Sequence, residues 1–239
     1  MSANNRYVKP SHRILARFLD ELWKYIKQGK PISEAIKGYS AYYDYNRVRV
    51  FPYERQLPWI NHFACERLRE LIKPGMNILE FGLGGSTLFF RNLGASVYSI
   101  EHDDEWFQTV KKELENDKMV SLHLYKPEID QPEIEDKYRS VHGLFSEGMS
   151  WKAYAHAADH LPDEAFDLIL IDGRARPECL RNSISKLKPG GMLVFDNSER
   201  ESYQQAMDEL MGNWRCEKYQ GVQICDPFFS ETRIYFKPA

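Results

Sequence analysis

Two carboxylates 21 positions apart, Glu80 and Glu101, bracket a glycine-rich stretch whose residue types suit a nucleoside. The run Met76-Asn-Ile-Leu-Glu-Phe-Gly-Leu-Gly-Gly-Ser-Thr87 carries apolar Ile78, Leu79 and Phe81 into Gly82, Gly84 and Gly85. Glycines there permit positive φ and let a ligand lie against bare backbone. Ser86 and Thr87 open a helix whose first N–H groups are free to donate. Glu101 closes the run Ala95-Ser-Val-Tyr-Ser-Ile100, and an acid at the tip of the second strand of a βαβ unit can hold both hydroxyls of a ribose. His102, next in line, is expected at the ligand's edge. Two further acids end apolar runs, Asp172 after Phe166-Asp-Leu-Ile-Leu-Ile171 and Asp196 after Met192-Leu-Val-Phe195. Open α/β sheets bind ligands at the carboxyl ends of their strands, so Glu80 or Gly82, Glu101, Asp172 and Asp196 should converge on one edge.

Positioning these groups takes a set of alternating strands and helices. Ser11 to Lys27 carries Ile14, Leu15, Phe18, Leu19, Leu22 and Ile26 at helical spacing, the pattern of an amphipathic helix. A short second helix is expected from Ser33 towards Gly38. Tyr39 to Trp59 interleaves Tyr39, Tyr42, Tyr43, Tyr45, Phe51, Tyr53 and Trp59 with Arg47, Arg49 and Arg55, and Pro52 and Pro58 predict an irregular course. These aromatics and arginines read as a packing surface, with a few facing a bound molecule. A helix from Asn61 to Ile72 leads into the first strand. The third strand falls at Val120 to Tyr125, and residues 126–150 form a polar excursion. Helix resumes at Trp151, and Glu201 to Met211 is helical. Gln220 to Cys225 and Glu231 to Phe236 are the last two strands. This is an α/β, Rossmann-like, doubly wound and mostly parallel sheet with an antiparallel C-terminal strand. Residues 1–59 form an N-terminal helical and aromatic cap, and residues 60–239 the ligand-binding domain.

Composition narrows the function classes. A chain of 239 residues can bury the core of one enzyme-sized domain. The formal charge of −3 disfavours general nucleic-acid binding, whose footprint is basic. Cys65, Cys179, Cys216 and Cys225 are scattered without a CxxC pair, which suggests neither a disulfide framework nor a zinc cluster. No apolar run approaches 18 residues, and Met-Ser-Ala-Asn-Asn-Arg lacks the apolar stretch of a signal peptide. The expected setting is a reducing cytoplasm without a membrane anchor.

Taken together, Glu80-Phe-Gly-Leu-Gly-Gly, the acid Glu101, Phe166 to Asp172 and Leu187-Lys-Pro-Gly-Gly-Met-Leu-Val-Phe-Asp196 resemble four successive motifs of the class I, Rossmann-like S-adenosylmethionine-dependent methyltransferases. The resemblance covers roughly residues 60–239. It implies S-adenosylmethionine as cofactor, held by Glu80, Gly82, Gly84, Gly85, Ser86, Thr87, Glu101 and His102. In that reading the Glu80 carboxylate meets the ammonium of the methionine moiety, directly or through water. A dinucleotide site would ask for a third glycine where Thr87 stands.

The acceptor side is sketched less fully. Asp172, Asp196 and Asn197 match the positions at which metal-dependent small-molecule O-methyltransferases hold Mg²⁺ and the acceptor, and three oxygen ligands with waters would make an octahedron. That family has a lysine base three residues after its first acid, and here the position is Ala175. Arg174 and Arg176 flank it, but a guanidinium cannot take a proton. Their positive charge beside the candidate metal triad weighs against an obligatory metal. Asp172, Asp196, Asn197 and Arg174 are therefore the candidate catalytic residues, with Asp196 the carboxylate that orients or deprotonates the acceptor and Arg174 or Arg176 holding an anionic group. His142, His156 and His160 are further candidate bases. The expected function is methyl transfer to a small-molecule acceptor, preferentially at a hydroxyl oxygen, by a chain that could form a homo-oligomer. The alternatives are an aminopropyltransferase of the same fold, a nicotinamide oxidoreductase and a non-catalytic S-adenosylmethionine-binding scaffold. The run Tyr39 to Trp59 is expected to close over the acceptor, so removal of residues 1–58 should leave a core that still binds cofactor but turns over poorly.

Overall fold

Uninterrupted apolar runs such as Leu168 to Ile171 need cover on both faces, which a parallel sheet between helix layers provides. The computed structural model describes residues 7–129, 135–139 and 148–239 and has this form. Its main strands are β1 (Asn77–Phe81), β2 (Ser96–Glu101), β3 (Val120–Leu124), β4 (Phe166–Ile171), β5 (Leu187–Asp196), β6 (Arg215–Val222) and β7 (Phe229–Phe236). They lie in the order β3-β2-β1-β4-β5-β7-β6. The first five are parallel, and β7 runs antiparallel to both β5 and β6. This is the expected Rossmann-like, mostly parallel arrangement with an antiparallel C-terminal edge.

Alternation along the strands feeds two cores. Ile78, Leu168, Leu170 and Val194 pack against Ala64, Cys65, Leu68, Phe89 and Phe90. Those side chains come from the helices His62–Leu71 and Gly85–Asn92. Leu79, Phe81, Ile169, Ile171, Leu193 and Phe195 face the other way, onto Cys179, Leu180, Ala206, Met207 and Met211. These belong to the helices Arg176–Ser183 and Glu201–Met211.

The N-terminal segment is more regular than its prolines suggested. The helices Ser11–Lys27 and Ser33–Lys37 match the spacing, but Tyr39–Arg47 and Pro52–Arg55 are helical as well. Pro52 opens its helix, where a missing N–H and a fixed φ cost nothing. Ile14, Phe18 and Tyr42 share a core with Val222, and Phe229 packs against it. The Tyr42 hydroxyl donates to the Pro227 carbonyl at 3.0 Å, and the Phe229 N–H donates to Glu21 Oε2 at 3.1 Å. The cap is thus fused to the antiparallel edge.

Three expectations change. The sixth strand begins at Arg215 rather than Gln220; its outer half is polar and exposed, so it lacks the alternation that marks a strand. Helix after Trp151 is one turn, Lys152–Ala155. Within the polar excursion a short ribbon pairs Glu128–Ile129 with Met149–Ser150. Residues 130–134 and 140–147, with His142, lie outside the described residues, as does the stretch 1–6. Among the described residues no helix is long and apolar enough to cross a membrane.

Candidate active site

The glycine turn is shaped by what presses on it. Gly82 has φ +117°, and a Cβ there would lie 3.1 Å from the Asp172 carbonyl oxygen. A Cβ on Gly85 would lie 2.1 Å from the Leu57 carbonyl oxygen and 2.6 Å from that of Pro52. The cap backbone therefore rests on the start of the helix Gly85–Asn92. Thr87 works from inside the turn: its hydroxyl accepts from the Gly84 N–H at 3.1 Å and donates to Glu80 Oε1. That pairing accounts for a hydroxyl residue where a dinucleotide site would have glycine. Glu80 has no exposed surface, and its Oε2 has no hydrogen-bond partner. Burial raises its pKa to about 7, against the pull of the Ser86, Thr87 and Ser99 hydroxyls.

Glu101 is buried, and its two oxygens collect backbone donors. Oε2 accepts from the Leu83 N–H at 2.9 Å, and Oε1 from the N–H groups of His102 and Asp103 at 2.7 and 2.8 Å. His102 Nδ1 lies 2.8 Å from the same Oε1. Beside this carboxylate opens a cavity of about 590 Å³, lined by Gly82, Gly84, Gly85, Ser86, Glu101 and His102 together with Asp103 and Trp106. Phe51, Pro52, Tyr53, Glu54 and Trp59 of the cap form its far wall. Glu80 and Thr87 are not on the wall; they stand behind it.

A second cavity, of about 520 Å³, adjoins the first and shares Trp59, His102, Asp172 and Gly173 with it. Arg174, Arg176, Asp196 and Asn197 line it, as the strand ends suggested. It also takes in Glu199, Arg200, Asp226, Phe228 and Phe229. Glu199 and Arg200 continue the Asp196-Asn197 turn and were within reach of sequence reasoning. Asp226, Phe228 and Phe229 come from the β6–β7 connection and the start of β7, and no local signal ties that region to a site.

The two acids of this cavity differ. Asp196 is 1% exposed; its Oδ1 accepts from the Thr232 hydroxyl at 2.6 Å, and its Oδ2 lies 3.4 Å from Arg176 Nη1. Asp172 keeps 17% of its side chain open and faces both cavities. Burial first and the nearby Asp196 second push its pKa well up, and Arg176 pulls the other way. Asp172 does not cap the following helix, whose N-cap is Ala175 with no side-chain cap. Ala175 is 5% exposed at φ +43°, so the position of the absent lysine is a buried, left-handed one. Asn197 is also left-handed, at φ +50°, a conformation asparagine tolerates better than most residues.

The histidines separate clearly. His102 lines both cavities, with its ring edge-on to Trp151 at 4.9 Å and Tyr154 at 5.4 Å. His156 bonds the Tyr138 hydroxyl and Asp159, and His160 meets the Tyr98 hydroxyl. Neither lines either of these two cavities. Tyr154 is fully buried with an unpartnered hydroxyl, set where a Cβ on Gly173 would lie 1.9 Å away. Among the described residues no group of three His, Cys, Asp or Glu side chains is arranged to hold a metal ion.

No protein-family model matches the chain. Among curated proteins it is similar to the protein-L-isoaspartate O-methyltransferase of Pyrococcus horikoshii, 25% identical over 157 residues. That match covers 63% of this chain and 59% of the relative, so the chain spans less than two thirds of that protein's length. Among solved structures it is similar to a methyltransferase-like protein from Silicibacter pomeroyi, with a TM-score of 0.47 and 23% identity over 73% of this chain and 86% of that one. It is also similar to Aeropyrum pernix fibrillarin with natively bound S-adenosyl-L-methionine, with a TM-score of 0.47 and 15% identity over 69% and 67% of the two chains. A third is the precorrin-6y C5,15-methyltransferase of Geobacter metallireducens, with a TM-score of 0.48 and 13% identity over 77% and 96%. The curated relative and such neighbours are S-adenosylmethionine-dependent methyltransferases of Rossmann-like fold, the class that the motif run resembles.

Proposed function

We propose that the chain is an S-adenosylmethionine-dependent methyltransferase acting on a small-molecule acceptor at a hydroxyl oxygen. The observation that carries this reading is the pair of cavities meeting at Asp172 and Gly173, one against the glycine turn and one against the acids of β4 and β5. The residues of the first cavity suit the cofactor. A bare turn at Gly82, Gly84 and Gly85 leaves room for the methionine moiety, and Glu101 would take the ribose hydroxyls. Glu80 would act from behind the turn, where a nearby ammonium would favour its ionised form. When bound, S-adenosylmethionine supplies a methyl group already activated on a sulfonium.

The protein's own part is alignment, exclusion of water and removal of one proton. Asp172 is the base in this reading: it faces both cavities, and its raised pKa makes it a stronger acceptor of the hydroxyl proton than an ordinary aspartate. Asp196, to which the sequence pointed for that task, has its oxygens engaged by Thr232 and Arg176 and instead positions the loop. Arg174 and Arg200 would hold an anionic part of the acceptor. The Pyrococcus relative is an O-methyltransferase, which supports the oxygen reading.

The test is calorimetric titration of S-adenosylmethionine into the wild-type protein and Glu101→Ala. Two hydrogen bonds to a charged group are worth about 1.5–3 kcal/mol each, so a loss of about a hundredfold or more is expected. Affinity unchanged within about threefold would remove the ribose assignment. Tighter binding of a nicotinamide dinucleotide or of decarboxylated cofactor would replace the reading with one of its rivals. Release of S-adenosylhomocysteine in an acceptor screen would exclude a non-catalytic scaffold.

A further inference from the structure

Asp172, Asp196 and Asn197 are the residues that resemblance offers to Mg²⁺, and the structure does not fit a divalent ion there. We infer that Arg176 is the built-in cation of this site, its guanidinium bridging Asp172 and Asp196 in place of a metal. Nη2 lies 3.0 Å from Asp172 Oδ1, and Nη1 lies 3.4 Å from Asp196 Oδ2. Nη1 also donates to the Asp196 carbonyl at 2.5 Å, and Nε to the Gly173 carbonyl at 3.0 Å. Contacts on three edges fix the plane of the fork, and Arg176 is only 7% exposed. The remaining Asp196 oxygen is held by Thr232, whose own hydroxyl accepts from the Asn61 N–H at 3.0 Å.

The chemistry of the two cations differs. A divalent ion needs ionised oxygens at about 2.0–2.6 Å and open positions for water. A guanidinium presents five donors in a fixed fork, keeps its proton at any working pH, and lays a planar group across both carboxylates. With Arg176 in place, two acids share one positive charge, and Asp172, the less buried of them, is the one that faces both cavities. Arg176 is thus a positioning residue, acting through the two acids.

The inference rests on the acceptor cavity assigned above, but its test needs no methyl transfer. Mn²⁺ binding is followed by electron paramagnetic resonance on the full chain. Wild type should leave millimolar Mn²⁺ free, and Asp172→Asn should not alter that signal. Arg176→Ala should gain one Mn²⁺ site and lose it again with Asp172→Asn added. Its melting temperature should fall by about 10 °C, since breaking a buried pair strands two carboxylates. Millimolar Mn²⁺ or methylguanidinium should restore at least half of that loss, and Arg176→Lys should fall less. Wild-type Mn²⁺ binding abolished by Asp172→Asn would overturn the inference. So would an Arg176→Ala protein that folds yet gains neither Mn²⁺ nor rescue. If Arg176→Ala does not fold, the wild-type and Asp172→Asn titrations decide alone. S-adenosylmethionine titration of the same wild-type preparation separates the readings: Mn²⁺ excluded without cofactor binding would keep the inference and remove the proposed function.

Discussion

A carboxylate with no exposed surface and one unpartnered oxygen ties stability to pH at a single residue, Glu80. Burial moves its pKa from an ordinary 4.5 up to about 7. Below pH 4.5 it is protonated in both folded and unfolded chains and contributes nothing. As pH rises towards 7 the unfolded chain releases that proton first, so stability falls, by about 3 kcal/mol once both forms are ionised. Glu80→Gln keeps an oxygen for the Thr87 hydroxyl and removes the charge. It should raise the cofactor-free stability by about 1–3 kcal/mol at pH 8 and leave it unchanged at pH 4.5, measured by urea unfolding. A gain of equal size at both values would show that ionisation is not the cause. The same variant should bind S-adenosylmethionine more weakly if the carboxylate serves the methionine ammonium. Tyr154 and Gly173 allow a second test. Tyr154→Phe deletes a hydroxyl that has no partner, so its melting curve should move by no more than about 1 kcal/mol. Gly173→Ala drives a methyl into that hydroxyl and should cost about 1–3 kcal/mol or more. Combining the two should recover part of the loss; a strictly additive double mutant would mean the contact is not the cause. In catalysis, Asp172→Asn should reduce turnover more than Asp196→Asn, and the reverse order would return the base to Asp196.

Among the elements, the cap carries more of the cavity beside the glycine turn than its position in the chain suggests. Phe51, Pro52, Tyr53, Glu54 and Trp59 wall that cavity, and the Pro52 and Leu57 carbonyls lie on Gly85. Gly85→Ala should lift the segment 52–57, weaken S-adenosylmethionine by about tenfold and speed proteolysis between residues 47 and 58. Wild-type affinity in that variant would show that the wall does not shape the site. The expectation that residues 1–58 could be removed without loss of cofactor binding reverses. Truncation would bare Val222 and Phe229 and open the cavity, so the shortened protein should neither fold stably nor bind. What the sequence made legible follows from range. β1, β2, β4 and β5 announce themselves as apolar runs ending at glycine or acid, and the helices Ser11–Lys27 and Glu201–Met211 show their period locally. β6 is hidden because its exposed start is held by polar partners, such as Arg67 on Glu217 at 2.9 Å. The helices Tyr39–Arg47 and Pro52–Arg55 are hidden because an aromatic run packed on several neighbours has no single apolar face. At the site, Glu101 and the glycines were readable as a strand-turn-helix pattern. The engagement of Asp196 by Thr232 joins residues 36 positions apart and could not be read from either.

At the scale of the whole molecule, the antiparallel edge has a consequence for how the chain is made. Ile14, Phe18 and Tyr42 complete their core with Val222 and Phe229, whose strands close the sheet at its far border. Their early partner surface does not exist until the final fifth of the chain has emerged. At roughly 5–20 residues per second, about 10–40 s of synthesis separate Tyr42 from Val222. Throughout that interval an amphipathic helix and a run of tyrosines wait on the nascent chain without their apolar cover. Ribosome-bound chains arrested before Arg215 should therefore be cut readily by protease within residues 11–47 and recruit holdase chaperones there, while chains extended past Phe236 and clear of the exit tunnel should resist. Early protection of the first helix in the arrested chains would mean that it finds another partner first. Contacts of such long sequence separation slow folding, and here the delay falls on the helices Ser11–Lys27 and Tyr39–Arg47, which precede the cavity wall at Phe51. The second cavity, which takes Asp226, Phe228 and Phe229 into its wall, is completed only with the last strands.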